Sequence, residues 1–232
     1  MKKCYERFAF TLAEVLITLG VIGVVAALTM PALISNYRRH ITAVKLKKIY
    51  TVMNQAINMS MAHNGPYENW YQKGFTSIED AEDWFEEYIG KYLNIVKITN
   101  DPDPCRTDGN FLIYFPDGSI LRASATQPDY TLVTDVKALN SEISRRRGYN
   151  EFVFRFDPFN TAYQAHYKKG FEPQDYTANS TREQLITGCQ AKGGAIFNED
   201  CTENIDIISN NYCTKLIQLD GWEIKDDYPV KF

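Results

Sequence analysis

The stretch RFAFTLAEVLITLGVIGVVAALTMPALI, residues 7–34, decides how this chain is read. From Phe10 to Ile34 it is apolar except for Glu14 and three threonines. A helix of that length reaches across the hydrocarbon core of a bilayer, which needs about 20 residues. A carboxylate in hydrocarbon costs on the order of 3 kcal/mol and is rare without a partner. Glu14 therefore needs an explanation, and so does its place near one end of the run. A permanent anchor gives it none. A secretory signal has a basic start in Lys2 and Lys3 and small residues for a cut at Ala26-Ala27. Its apolar run is too long for that class, and the helical pattern continues past the cut. A leader removed ahead of the apolar run is the arrangement that gives Glu14 a role.

The residues Ala9-Phe10-Thr11-Leu12-Ala13-Glu14, followed by the apolar run with Pro31 inside it, resemble the cleavage and methylation signature of type IV prepilins and type II secretion pseudopilins. The resemblance implies a leader over residues 1–9 and a cut between Ala9 and Phe10 by a membrane prepilin peptidase. It also implies N-methylation of Phe10 and polymerisation into a pilus or pseudopilus. Ala9 stands where the family usually has glycine. After the cut Glu14 lies one helical turn from the new amino terminus, on the same face. A carboxylate there is favoured by the helix dipole. The family resemblance implies that in the fibre Glu14 meets the Phe10 amine of a neighbouring subunit, a pairing that selects the stagger between subunits. Pro31 matches a proline the family carries late in this helix, where a kink is expected.

The organisation expected on this reading is a leader at 1–9, a transmembrane and assembly segment at 10–34, and a periplasmic or extracellular head at 35–232. The precursor would lie in a bacterial inner membrane with its amino terminus in the cytoplasm. Its partners would be copies of itself and other pilin-like subunits, prepilin peptidase, the inner-membrane assembly platform and membrane lipid. Charge counting alone points the other way. Lys2, Lys3 and Arg7 precede the span, whereas Arg38, Arg39, Lys45, Lys47 and Lys48 follow it. The cleavage motif and the cysteines take precedence over that count.

Composition narrows the classes further. A net charge of −4 argues against nucleic acid as the main partner. With 15 Tyr, 13 Phe and 3 Trp, the chain can build a core beyond its first helix. Of five cysteines, Cys4 precedes the apolar run; Cys105, Cys189, Cys201 and Cys213 follow it without CxxC or His-rich spacing. That pattern suits disulfides in an oxidising compartment better than zinc. Three connectivities are open. Cys189 with Cys213 is the first choice, because they flank one loop-rich insert, and it leaves Cys105 with Cys201.

Beyond the span, Ile41, Val44, Lys48, Ile49, Val52, Met53, Ala56 and Ile57 recur at three- and four-residue spacing. They extend the helix to about Ala62, before Gly65-Pro66. Ser77 caps a second helix to about Tyr92, with Trp84, Phe85, Tyr88 and Ile89 buried. Residues 111–115 and 119–123 flank Pro116-Asp117-Gly118 and predict a hairpin. Residues 131–136 and 151–156 predict strands, and residues 180–186 a short helix. The fold class is α+β: a long amino-terminal helix packed on an antiparallel sheet, as in pilin-like proteins. The ending Leu216–Pro229 resembles those of other prepilin-like proteins.

Little else carries chemistry. His40, His63 and His166 are scattered, and no HExxH, GxSxG, Walker A or GxGxxG motif occurs. No enzyme activity, cofactor or resident metal is expected. Calcium is the ion that the resemblance raises, because some pseudopilin heads bind it. Asp101, Asp103 and Asp108 fail the EF-hand spacing, and Asp220, Asp226 and Asp227 form a second cluster. Both are expected to be solvated acidic loops, and Arg145-Arg146-Arg147 a solvated turn. The alternative to a polymerising subunit is a membrane-anchored or secreted binding protein that stays monomeric.

Overall fold

The computed structural model describes residues 11–70, 75, 77–101, 109–125, 129–139, 147–158, 161, 165–175, 177, 179–190 and 211–232. Helix α1 spans Leu12–Asn64. The chain divides between Arg39 and His40 into two compact units, and α1 contributes to both.

In the first unit α1 is the one helix among the described residues long and apolar enough to cross a membrane. Its side chains are exposed all round: Leu12 by 78%, Leu28 by 76%, Leu33 by 70%. A helix apolar on every side needs an apolar surrounding. The threonines inside it fit such a surrounding because their hydroxyls turn back on the helix. Thr18 Oγ1 donates to the Val15 carbonyl at 2.9 Å, and Thr29 Oγ1 to the Val25 carbonyl at 2.9 Å. The helix continues through Pro31, which lacks the N–H that would bond the Ala27 carbonyl.

In the second unit α1 buries Thr42, Ala43, Leu46, Ile49, Met53, Ala56, Ile57 and Ser60. Of the expected stripe, Ile49, Met53, Ala56 and Ile57 are buried, whereas towards the start the buried face shifts from Ile41 and Val44 to Thr42, Ala43 and Leu46. Leu46 is fully buried and Val44 is 49% exposed. The stripe runs 42, 46, 49, 53, 57 and 60, the true three-and-four spacing, and its polar ends, Thr42 and Ser60, hid it. Helix α2 spans Ile78–Tyr88, with Ser77 Oγ accepting from the Asp80 N–H at 3.0 Å as the cap. It stops short of Tyr92 because Gly90 starts a separate 3₁₀ turn, Gly90–Tyr92.

Six strands follow: β1 (Lys97–Asn100), β2 (Asn110–Tyr114), β3 (Ile120–Ser124), β4 (Asp129–Val133), β5 (Glu151–Arg155) and β6 (Glu172–Pro173). They form one antiparallel meander in chain order. The predicted hairpin is β2–β3, closed by Phe115 N–H donating to Ser119 O at 3.0 Å, with Gly118 at φ +77° supplying the left-handed turn. Strands β1 and β6 were not expected. The first is four residues long and the second two, too short for period-two alternation to register.

One face of the sheet carries Phe111, Tyr130 and Phe154. Phe111 meets Phe85 of α2 edge-on, and Phe171 stacks on Phe154 and meets Tyr130. Asn54 of α1 bonds both main-chain groups of Phe171: its Nδ2 donates to the Phe171 carbonyl and its Oδ1 accepts from the Phe171 N–H. The long helix is thus fixed to the sheet by a side chain that reads backbone. The opposite face is buried as well, by Leu112, Ile120, Val133 and Leu139. Burial of both faces explains why these strands read as continuous apolar runs.

Helices α3 (Arg182–Gln190) and α4 (Tyr212–Leu219) are joined by the Cys189–Cys213 disulfide, the pairing favoured above. Helix α4 lies in a stretch for which the sequence reading predicts no element. Gly148, at φ +78°, packs so close that a Cβ there would meet the Cys213 sulfur at 2.6 Å. Tyr228 donates its hydroxyl to the Gly148 carbonyl at 2.8 Å and closes the same knot. The bridge closes a separation of 24 residues. Reduction is therefore expected to lower the unfolding free energy by about 3 kcal/mol. Denaturant midpoints with and without dithiothreitol measure this, and an unchanged midpoint would refute it. Cys4, Cys105 and Cys201 lie outside the described residues.

Candidate assembly site

Thr11 precedes the first turn of α1 and Glu14 lies within it. The two are bonded reciprocally. Thr11 N–H and Thr11 Oγ1 both donate to Glu14 Oε2 at 2.8 Å, and Glu14 N–H donates to Thr11 Oγ1 at 3.3 Å. This is a capping box, in which residue and carboxylate three apart satisfy two orphan donors at a helix start. The sequence held its signature, Thr-x-x-Glu, inside the stretch read for cleavage. The box means that Glu14 has hydrogen-bond partners within its own chain. Ala9 and Phe10, the expected cleavage, methylation and pairing residues, lie outside the described residues.

Three polar clusters fix the head. The first lies within the sheet. Arg122 Nε donates to Asp101 Oδ2 at 2.6 Å and its Nη1 to Glu151 Oε1 at 3.0 Å, with the three side chains 1%, 2% and 4% exposed. Burial works against the charge of Arg122, but Glu151 and Asp101 outweigh it and raise its pKa. Asp101 is thus not part of a solvated loop. Strand β1 brings it opposite Asn110, beside the guanidinium. Asp103 and Asp108 lie outside the described residues. Further along, Arg155 bonds Asp129 at 2.8 Å and Asp157 at 2.9 Å.

The second cluster joins α1 to the carboxy-terminal segment. Tyr50 donates to Glu172 Oε1 at 3.1 Å, and Gln218 Nε2 donates to Glu172 Oε2 at 3.1 Å. Burial, then the Glu172 charge, pushes the Tyr50 phenol up to about 12. The Tyr50 ring packs against Trp222 with centroids 5.0 Å apart. Trp222 has φ +65°, a conformation that bulky residues avoid unless packing demands it.

The third cluster corrects the solvated-loop reading for Asp220, whose side chain is buried, while Asp226 and Asp227 are exposed as expected. Arg182 forks onto Asp220 at 2.8 and 2.9 Å and onto Asp227 at 2.7 and 2.8 Å, and Lys225 adds a bond to Asp220 at 2.9 Å. A guanidinium occupies the space between the carboxylates where a cation would sit. Hydrogen bonds from Arg182 hold the Asp227 carboxyl below its ordinary pKa. They do the same for Asp220 against the opposing effect of burial. Lowered folded-state values mean that the clamp is complete above the unfolded aspartate pKa of about 4 and is lost as pH falls through the folded values. Arg182→Ala is expected to speed amide exchange over residues 220–228 at neutral pH without altering exchange in β2–β4. Unchanged exchange in the tail would show that the clamp does not hold it.

Of the basic run, Arg147 is half-buried and donates to Asn211 Oδ1, so it is not a solvated turn; Arg145 and Arg146 lie outside the described residues. His166 is fully buried with Nε2 against the Asp175 main chain, and burial lowers its pKa, which suits a structural histidine. Among the described residues no group of three or more His, Cys, Asp or Glu is placed to hold a metal ion.

Compared with known proteins, residues 32–232 match the model of a family of unknown function, DUF6613. No curated protein and no solved structure matches the chain.

Proposed function

The chain belongs to the DUF6613 family, whose function is unknown, and from its residues we propose that it is a pilin-like or pseudopilin-like subunit. On this reading it is made as an inner-membrane precursor with an extracytoplasmic head and cut between Ala9 and Phe10. It then polymerises through α1. The observation that carries the reading is the Thr11–Glu14 capping box at the start of a helix whose apolar side chains are exposed all round. The carboxylate is kept at the helix entrance, one turn from the amine that cleavage would create. In the precursor its partners are Thr11 N–H and hydroxyl; in a filament a charged amine from a neighbour is the stronger one. The head, with its disulfide, suits an oxidising compartment.

Mass spectrometry of the amino terminus of membrane-extracted protein tests this. The expected result is a chain beginning at N-methyl-Phe10. An intact Met1, or a start near Leu28, overturns it. A second reading is favoured by the span of the family match, which begins at residue 32 and leaves out most of the apolar segment. What defines the family is then the head, and an anchored head that binds a ligand without polymerising is the alternative.

A further inference from the structure

Residues 165–175 form a strap between β5 and α3 and carry β6. The strap rests on the sheet through Phe171, which stacks on Phe154, and through the Gln174 N–H, which donates to the Val153 carbonyl at 3.2 Å. It leads into α3 through the Asp175 carboxylate, which accepts from the Thr177 N–H at 3.0 Å and from Ser180 Oγ at 2.8 Å. His166 closes the strap on itself. Its ring is fully buried, with Nε2 3.0 Å from the Asp175 carbonyl oxygen and 3.3 Å from the Asp175 main-chain nitrogen. A neutral ring satisfies one of those two groups, whichever nitrogen holds the proton. Nδ1 is buried and has no hydrogen-bond partner among the described residues. The turn beside it puts Lys168 at φ +54°, a left-handed conformation that persists only while its surroundings hold it.

A second proton on this ring is poorly housed. An imidazolium carries N–H on both nitrogens, so Nε2 can no longer accept from the Asp175 N–H. Nδ1 becomes a buried donor with no acceptor among the described residues. The charges around the ring are committed elsewhere. Arg155 of β5 is held by Asp129 and Asp157, Glu172 of β6 accepts from Tyr50 and Gln218, and the Asp175 carboxylate is turned onto Thr177 and Ser180. Burial lowers the His166 pKa, and the Arg155 charge adds to it; the Asp175 main-chain bond and the Glu172 and Asp157 charges oppose them. We propose that the strap is a latch that mild acid opens: a proton taken up by His166 breaks its hold on the Asp175 main chain, and residues 165–175 leave β5 together with the start of α3. Strands β2–β4, paired among themselves, stay closed. The fold accepts the neutral ring, so the latch is complete above the ordinary histidine value of about 6.5. It is lost as pH falls from there through the lower value of the folded chain. The latch lies in the head and needs neither cleavage at Ala9 nor pairing at Glu14.

The test is amide exchange on the full chain in detergent micelles from about pH 7.5 to about pH 5, corrected for the intrinsic pH dependence of exchange. At the acid end the Phe171, Gln174 and Asp175 amides are expected to exchange roughly tenfold faster than at the neutral end. The ceiling is about thirtyfold, set by one imidazole of pKa ~6.5 in the open form. This window lies above the aspartate range, so the Arg182 clamp on Asp220 and Asp227 stays closed throughout. His166→Gln is neutral at every pH and should give protection that does not change across the window, whatever its level. Should that variant fail to fold, nuclear magnetic resonance of the His166 ring in the unaltered chain decides, with titration expected below about 6.5 while the strap is closed. Exchange that is unchanged across the window overturns the proposal, as does an acceleration that persists in His166→Gln. Parallel loss of protection in β2–β4 overturns it by making the event an unfolding of the whole head. So does a ring that titrates at or above its ordinary value with the strap closed. Glu14→Ala should leave every one of these readings unchanged, so a failed latch and a failed filament are told apart.

Discussion

Replacing Glu14 by alanine is expected to leave the chain inserted in the membrane and to abolish filament assembly, as seen by electron microscopy and sedimentation of sheared material. Removal of the carboxylate relieves a burial cost on the order of 3 kcal/mol, so insertion does not suffer. The capping box with Thr11 is lost too, but a helix cap is worth only about 1 kcal/mol and frays one turn. Neither effect stops assembly. On the proposed reading loss of the anion does, because each added subunit would then bury an amine charge without its counterion, at a cost of roughly 3–5 kcal/mol. Glu14→Gln separates the two roles. Glutamine serves in a capping box but carries no charge. Filaments lost with both substitutions point to charge pairing. Filaments restored by glutamine would make the cap the function of Glu14 and remove the amine from the account. Normal filaments from the alanine variant would sink both.

The features legible in the sequence are those set by local chemistry. The Asp117-Gly118 turn, the Ser77 cap and the long apolar run each need only a few neighbouring residues to be recognised, and each is where it was expected. Thr11-x-x-Glu14 is equally local, but its capping signature is overlaid on the cleavage motif that the same residues carry. What could not be read depends on partners far along the chain. Asp101 looks like a loop aspartate until β1 sets it beside Arg122, 21 residues on. Asp220 and Asp227 look like a cation cluster until Arg182, some 40 residues earlier, reaches them. Helix α4 is not legible because the turn that ends it at Gly221-Trp222, with both residues at positive φ, has no common sequence signature. The Cys189–Cys213 disulfide ties that helix to α3.

Arg122→Met is expected to destabilise the head by roughly 3–5 kcal/mol, a large share of the ~5–15 kcal/mol that holds a domain together. The guanidinium is 1% exposed and joins carboxylates from either side of β3, Asp101 at the end of β1 and Glu151 at the start of β5. Its removal strips both buried acids of their cation at once, where water reaches neither easily. The penalty should therefore exceed the 0–1 kcal/mol typical of surface pairs. Denaturant unfolding of the head measures it, and a loss below about 1 kcal/mol would mean that solvent screens the triad. The origin of the cost can be separated by neutralising the acids as well. In the triple variant Asp101→Asn, Arg122→Met, Glu151→Gln, more than half of the loss should return, because the penalty comes from uncompensated buried charge and little from the bonds themselves. The local consequence is also fixed by geometry. Asp101 closes β1, so in Arg122→Met the Thr99 amide should lose protection before those of β3 and β4. The edge strand β1 would then detach first, from a head that is still folded at its centre.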